Sequence, residues 1–163
     1  MPNIFDPQWD QRREMAGFTQ DRALIGRQAG AQKLGASVWE MKPGDAAYPY
    51  HFHYAEEEMV IVLSGTPSLR TPAGWRELAT GEVVSFLTGP DGAHQLLNRS
   101  DEVVRILSLS TMADAEVVHY PDSGKVGAYG NRGKPDETRE TYLRSTVVDY
   151  WDGEQPPEPP PSS

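Results

Sequence analysis

The stretch HFHYAEEEMVIVLSG, His51 to Gly65, sets two histidines one residue apart, follows them with three glutamates and then runs into the apolar segment Met59–Leu63. Such a run, rich in β-formers and closed by Ser64-Gly65-Thr66, reads as a strand. Alternate side chains of a strand share a face, so His51 and His53 point one way and Phe52 and Tyr54 the other. By the same alternation Glu58, Val60 and Val62 share one face, with Met59, Ile61 and Leu63 opposite. If the two strands form neighbouring walls, both imidazoles and the Glu58 carboxylate converge. A divalent cation would then satisfy polar groups whose unpaired burial is costly. The bland alternative is a solvent-facing histidine pair beside a charged turn, and this stretch alone leaves both readings open.

Working outward, short runs of β-formers recur at Leu34–Met41, Tyr50–Tyr54, Glu58–Leu63, Ser68–Thr71, Trp75–Leu78, Val83–Leu87, His94–Leu97 and Val103–Ser110. Turn residues punctuate them, as in Pro43-Gly44-Asp45, Pro72-Ala73-Gly74 and Gly89-Pro90-Asp91-Gly92. Helical periodicity is never sustained, and the fold class is all-β, an antiparallel sandwich or barrel. Residues 1–22 read as a polar arm anchored by Phe5, Trp9 and Phe18, and residues 23–111 as the barrel. Residues 112–151, rich in glycine, read as an irregular extension packed on the barrel, and 152–163, with five prolines, as a disordered tail.

The 163 residues suit one domain. A net charge of -9 repels nucleic-acid backbones and anionic membranes, so neither is an expected partner. With no cysteine, disulfides, thiolate ligands and a Cys nucleophile are excluded, and any metal must be held by His, carboxylate or water. The first residues lack the apolar block of a secretory signal, and no run approaches the ~18 apolar residues of a membrane span, so a cytoplasmic location is expected.

A second stretch, GEVVSFLTGPDGAHQLLN from Gly81 to Asn98, holds the remaining histidine of the strand-rich region. With it the sequence resembles the cupin superfamily over about residues 34 to 110. The first cupin motif is matched by Gly44, His51, His53, Glu58 and Gly65, the second by Gly81, Gly89, His94 and Asn98. Leu87 stands where the family usually has Pro, and the Gly89–Gly92 turn places His94 two residues later than the simplest spacing. The resemblance implies a double-stranded β-helix, or jelly-roll, barrel. It also implies one divalent transition metal (Fe, Mn, Ni, Co or Zn) on His51, His53, Glu58 and His94. Within the glutamate trio, the six-residue spacing to Gly65 selects Glu58 and leaves Glu56 and Glu57 to solvent. His119 reads as a surface or packing histidine.

The resemblance further implies a small-molecule substrate or ligand and a homodimer. Three functions remain open: a metal-dependent isomerase of a sugar phosphate or related hydroxycarbonyl, an Fe(II)-dependent dioxygenase, and a non-catalytic binding or sensing barrel. No catalytic residue is assigned. Glu40, Tyr48, Tyr50 and Tyr54 are the non-ligand candidates for moving a proton, and Arg70, Arg76 and Arg105 are either a phosphate clamp or surface arginines. No phosphate loop, nucleophile elbow or dinucleotide fingerprint is present.

Overall fold

Period-two alternation of apolar and polar residues becomes sheet almost wherever it occurs. The computed structural model describes residues 1–132 and 134–156, so most of the Pro-rich tail lies outside the described residues. Its strands are β1 (Gln11–Arg13), β2 (Gln20–Ala23), β3 (Leu34–Met41), β4 (Phe52–His53), β5 (Glu58–Ser64), β6 (Ser68–Thr71), β7 (Gly74–Glu77), β8 (Val83–Phe86), β9 (Gln95–Leu97), β10 (Val104–Thr111), β11 (Ala115–Tyr120), β12 (Lys125–Gly130) and β13 (Thr138–Leu143). One short helix, Ile25–Gln28, follows β2. No helix among the described residues is long and apolar enough to cross a membrane.

The strands form an all-β jelly-roll barrel. A six-stranded sheet runs β1-β2-β3-β10-β5-β8, a four-stranded sheet β13-β12-β11-β4 and a three-stranded sheet β7-β6-β9, every pairing antiparallel. His51 and His94 form an isolated antiparallel bridge. Met41, Val60, Val62, Leu69, Leu78, Phe86, Leu96, Val104 and Ile106 share the main core. On the outer face Val38 packs with Ala23 and Ile25, so the segment preceding β3 covers that side.

Register arranges the barrel interior in layers. Across β3, β10 and β5, Gly35 lies beside Ser110 and Ser110 beside Glu58; the next row is Ser37, Ser108 and Val60, then Trp39, Ile106 and Val62. Each inner face therefore passes from polar or small residues at one end to large or branched apolar residues at the other.

Two expectations need correction. The segment after Thr111 is not irregular chain: β11 and β12 pair over six residues and β13 pairs with β12 over six more. Its glycines, which argue against a strand by propensity, serve packing. A Cβ on Gly127 would lie 2.8 Å from the Tyr129 hydroxyl, so a larger residue there would displace the Tyr129 ring. The polar N-terminal segment is likewise more than an arm, since β2 hydrogen-bonds to β3 along Gln20–Ala23 and joins the sheet, while Phe5 is 69% exposed and anchors nothing.

Candidate metal centre

Strand β4 and the residue before it turn His51 and His53 inward, where both are buried. The first residue of β5 brings Glu58 to the same point, as alternation requires. His94 arrives from the turn preceding β9. There Gly92 passes under the Leu87 carbonyl so closely that a Cβ would stand 1.7 Å from its oxygen. The long turn thus closes on itself, and the two additional residues leave His94 in place.

The Glu58 Oε2 atom lies 3.2 Å from His94 Nε2, 3.3 Å from His53 Nε2 and 3.9 Å from His51 Nε2. One ligand atom from each of His51, His53 and Glu58 falls within 4.8 Å of the others, and His94 meets the set through Glu58. The far nitrogens are oriented from behind: His51 Nδ1 lies 2.9 Å from the Pro49 carbonyl and His94 Nδ1 3.0 Å from the Gly92 carbonyl. Donation to those carbonyls places the lone pair on Nε2, the state a metal requires. Phe86 stacks on His94 with ring centroids 3.7 Å apart.

His53 is held differently. Its Nδ1 faces Glu116 Oε2 at 3.7 Å, an ion-pair separation longer than a hydrogen bond. Glu116 is buried, and its carboxylate accepts the backbone N–H groups of Tyr54 and Ala55. Glu56 is also buried, contrary to the expected solvent exposure, because it pairs with Arg132 and accepts the Ala113 N–H at 3.0 Å. Glu57 is exposed, as expected. His53, Glu56 and Glu116 form a second close group of metal-binding type. Both its carboxylates are already engaged by backbone N–H groups or arginine, which marks it as the support of His53.

Electrostatics agrees with a set built to share a cation. Burial, then the neighbouring His94, lowers the His51 pKa to about 3. Burial alone would lower His53 too, but Glu116 and Glu58 outweigh it and lift it to about 9. Burial would raise Glu58, yet His53 and His94 hold it well below the usual carboxylate range. His53 Nδ1, His53 Nε2 and His94 Nε2 are buried without a hydrogen-bond partner. Unsatisfied buried groups of this kind cost ~1–3 kcal/mol each, and a divalent cation among them removes much of that cost. Three imidazoles and one carboxylate therefore fit such an ion, with His51, His53, His94 and Glu58 as its holders.

The centre opens into a cavity of about 200 Å³ lined by Arg22, Ser37, Trp39, Tyr48, Glu56, Ser108, Ser110, Met112 and Arg132 as well as His51, His53 and Glu58. A wider groove of about 380 Å³ lies against Tyr54, Val117, Ala128 and Thr138. It is shallow and mostly apolar, with no convergent ligand set facing it, so the smaller cavity is the candidate site.

A family model described as a cupin domain matches residues 37–110. Residues 37–110 form a cupin domain. Among solved structures the chain is similar to a "putative sugar phosphate isomerase" from Acidithiobacillus ferrooxidans, with 26% identity, 82% of this chain and 81% of that chain covered, and a TM-score of 0.71. It is also similar to a cupin-superfamily sugar phosphate isomerase from Silicibacter pomeroyi, at 21% identity with 82% of each chain covered and a TM-score of 0.72. The polyketide cyclase RemF from Streptomyces resistomycificus aligns at 21% identity over 68% of this chain and 78% of that one, TM-score 0.57. The last two likenesses establish the fold alone. Curated proteins furnish no match.

Within the cupin, the four expected ligands come together, and Tyr48 joins them at the cavity. The other candidates do not. Glu40 points away from the interior and pairs with Arg105, Tyr50 lies under Arg70, and Tyr54 is exposed. Arg70 and Arg76 pair with Asp122 and Glu82, outside the cavity. His119 packs against Phe52, as a packing histidine should. Sequence reading missed Arg22, Glu56, Ser108, Ser110, Glu116 and Arg132. Only the serines left a signal, since in the pattern Ile106-Leu107-Ser108-Leu109-Ser110 the inward positions change from apolar to hydroxyl.

Proposed function

We propose that this cupin is a metal-dependent enzyme that isomerises a small hydroxycarbonyl metabolite. The observation that carries this reading is the convergence of three imidazoles and Glu58 beside a partly open cavity, where the one other lining carboxylate is Glu56. A bound divalent cation would supply Lewis acidity toward a substrate carbonyl. The imidazoles and Glu58, committed as ligands, are not free bases. Burial, opposed by Arg132, raises the Glu56 pKa, so this carboxylate is suited to take a proton from substrate carbon and return it to the neighbouring carbon. Tyr48 supplies the complementary group. Burial, then the charge of Glu58, holds its pKa well above the ordinary phenol value, so it stays protonated and donates a hydrogen bond to a substrate oxygen. The resemblance to the Acidithiobacillus protein, by its name, supports isomerisation over oxygenation.

The test is to load the protein with Mn(II) or Fe(II), offer pooled small hydroxycarbonyls, and follow product mass beside dissolved O2. A new isomer at unchanged mass is the expected result, with Glu56→Gln losing most of the rate while metal content holds. Uptake of O2 with a gain in mass would replace this reading with a dioxygenase. Thermal stabilisation by a metabolite that is never converted would replace it with a binding barrel.

A further inference from the structure

Arg22 differs from the other arginine that lines the cavity and from several on the outside of the barrel. Arg70, Arg76, Arg105 and Arg132 each pair with a carboxylate. Arg22 has no ion pair among the described residues, although it lines the metal cavity. Its Nε and one terminal nitrogen donate to the Ser37 hydroxyl at 3.1 and 2.9 Å, and the guanidinium lies 4.3 Å from the centroid of the Trp39 ring. These contacts hold the side chain in position without neutralising it. Of its five N–H donors, those on the other terminal nitrogen are left for a ligand.

Two uncharged donors accompany it. The Tyr48 hydroxyl and the Trp39 Nε1 are buried without a hydrogen-bond partner, and both side chains line the same cavity. The carboxylates there are already engaged, Glu58 by the histidines and Glu56 by Arg132. The wall therefore offers free donors and, at Arg22, a fixed positive charge without an anionic partner.

We propose that the ligand of this site is a small acid, its carboxylate or phosphoryl group held by Arg22, with a neighbouring hydroxyl or carbonyl oxygen turned toward His51, His53 and Glu58 and bonded by Tyr48. The inference rests on the metal-centre reading above and narrows the metabolite to one carrying a negative charge. Size narrows it further. A cavity of about 200 Å³ holds the equivalent of roughly six waters, room for an acid of a few carbons.

Isothermal titration of the metal-loaded full chain tests this, with glycolate as the carboxylate probe, inorganic phosphate as the phosphoryl probe and hydroxyacetone as the neutral one. At least one anion should bind about tenfold or more tightly than hydroxyacetone, and which one does so identifies the group. Arg22→Met should weaken that anion roughly 10–100-fold and leave hydroxyacetone unchanged, as expected for loss of a charge-assisted hydrogen bond. Tyr48→Phe should weaken all binding probes by a similar, smaller factor. If Arg22→Met does not fold, Arg22→Gln, which keeps a donor for Ser37, carries the same comparison. The proposal is overturned if neither anion binds, if hydroxyacetone binds as tightly as both, or if the Arg22 variant keeps full anion affinity. Metal content measured in the same samples separates the two readings. Arg22-dependent anion binding to protein that takes up no metal leaves this inference standing and removes the metal centre, whereas Arg22-independent binding to metal-loaded protein does the reverse.

Discussion

The two ends of the barrel interior are built from the same strands and obey opposite rules. On β5 the inner face reads Glu58, Val60, Val62; on β10 it reads Ser110, Ser108, Ile106, Val104; and from the turn into β9, His94 gives way to Leu96. At the apolar end Val60, Leu96, Val104 and Ile106 are fully buried, each contributing roughly 1.5–3 kcal/mol of transfer free energy. At the polar end buried nitrogens stand unpaired in the protein alone. One end stabilises the fold and the other draws on that stability to hold groups in an unfavourable place. Only two residues along a strand separate the regimes, because a strand returns to the same face at every second residue.

This division predicts that stability and metal binding can be lost separately. The largest effect belongs to the ligands. His53→Ala or His94→Ala should remove most of the roughly one metal per chain expected of wild type, as read by elemental analysis; equal metal in wild type and a triple histidine variant would erase the distinction between the ends. Because ligation needs neutral imidazole and His53 takes up a proton below about pH 9 in the protein alone, metal affinity should fall progressively as pH drops from there.

Next in size is the apolar end. Leu96→Ala should cost about 2–5 kcal/mol in denaturant unfolding while the folded variant keeps its metal. Metal lost in step with stability would mean that the two ends act as one unit. Between them stands Glu116, buried and 3.7 Å from His53 Nδ1. Glu116→Gln should weaken metal affinity about 10–100-fold, as loss of an orienting carboxylate does, and a competition titration against a chelator would measure it. The smallest effect lies outside both ends: Arg76 pairs with Glu82 on the surface, and Arg76→Ala should change stability by less than ~1 kcal/mol with no effect on metal.

The legibility of the sequence follows the same geometry. Strands β3 and β6 have the ends read from their residues alone, Leu34–Met41 and Ser68–Thr71, since each is a run of β-formers bounded by turn residues. Strands β11 to β13 were obscured by Gly127 and Gly130, whose low strand propensity is overridden by pairing with β11 on one side and β13 on the other. Glu56 misled for a related reason. Its place beside Glu57 and Glu58 suggests a solvated trio, but its partners are Arg132 and the backbone of Ala113, both more than fifty residues away.

By itself the sequence determined the all-β class and the alternation that puts His51 and His53 on one face, and the two motifs together added Glu58 and His94 to that set. Each motif is local, written over a short stretch of chain and enforced by backbone geometry. The tertiary structure alone decided that Arg22 would enter the cavity from β2 and that Glu116 would stand behind His53 from β11. It also decided that Ser108 and Ser110 would face the site rather than solvent. The physical reason is that a side chain's environment is set by the strand it pairs beside, and antiparallel pairing joins residues such as Val118 and His53 that no local pattern relates.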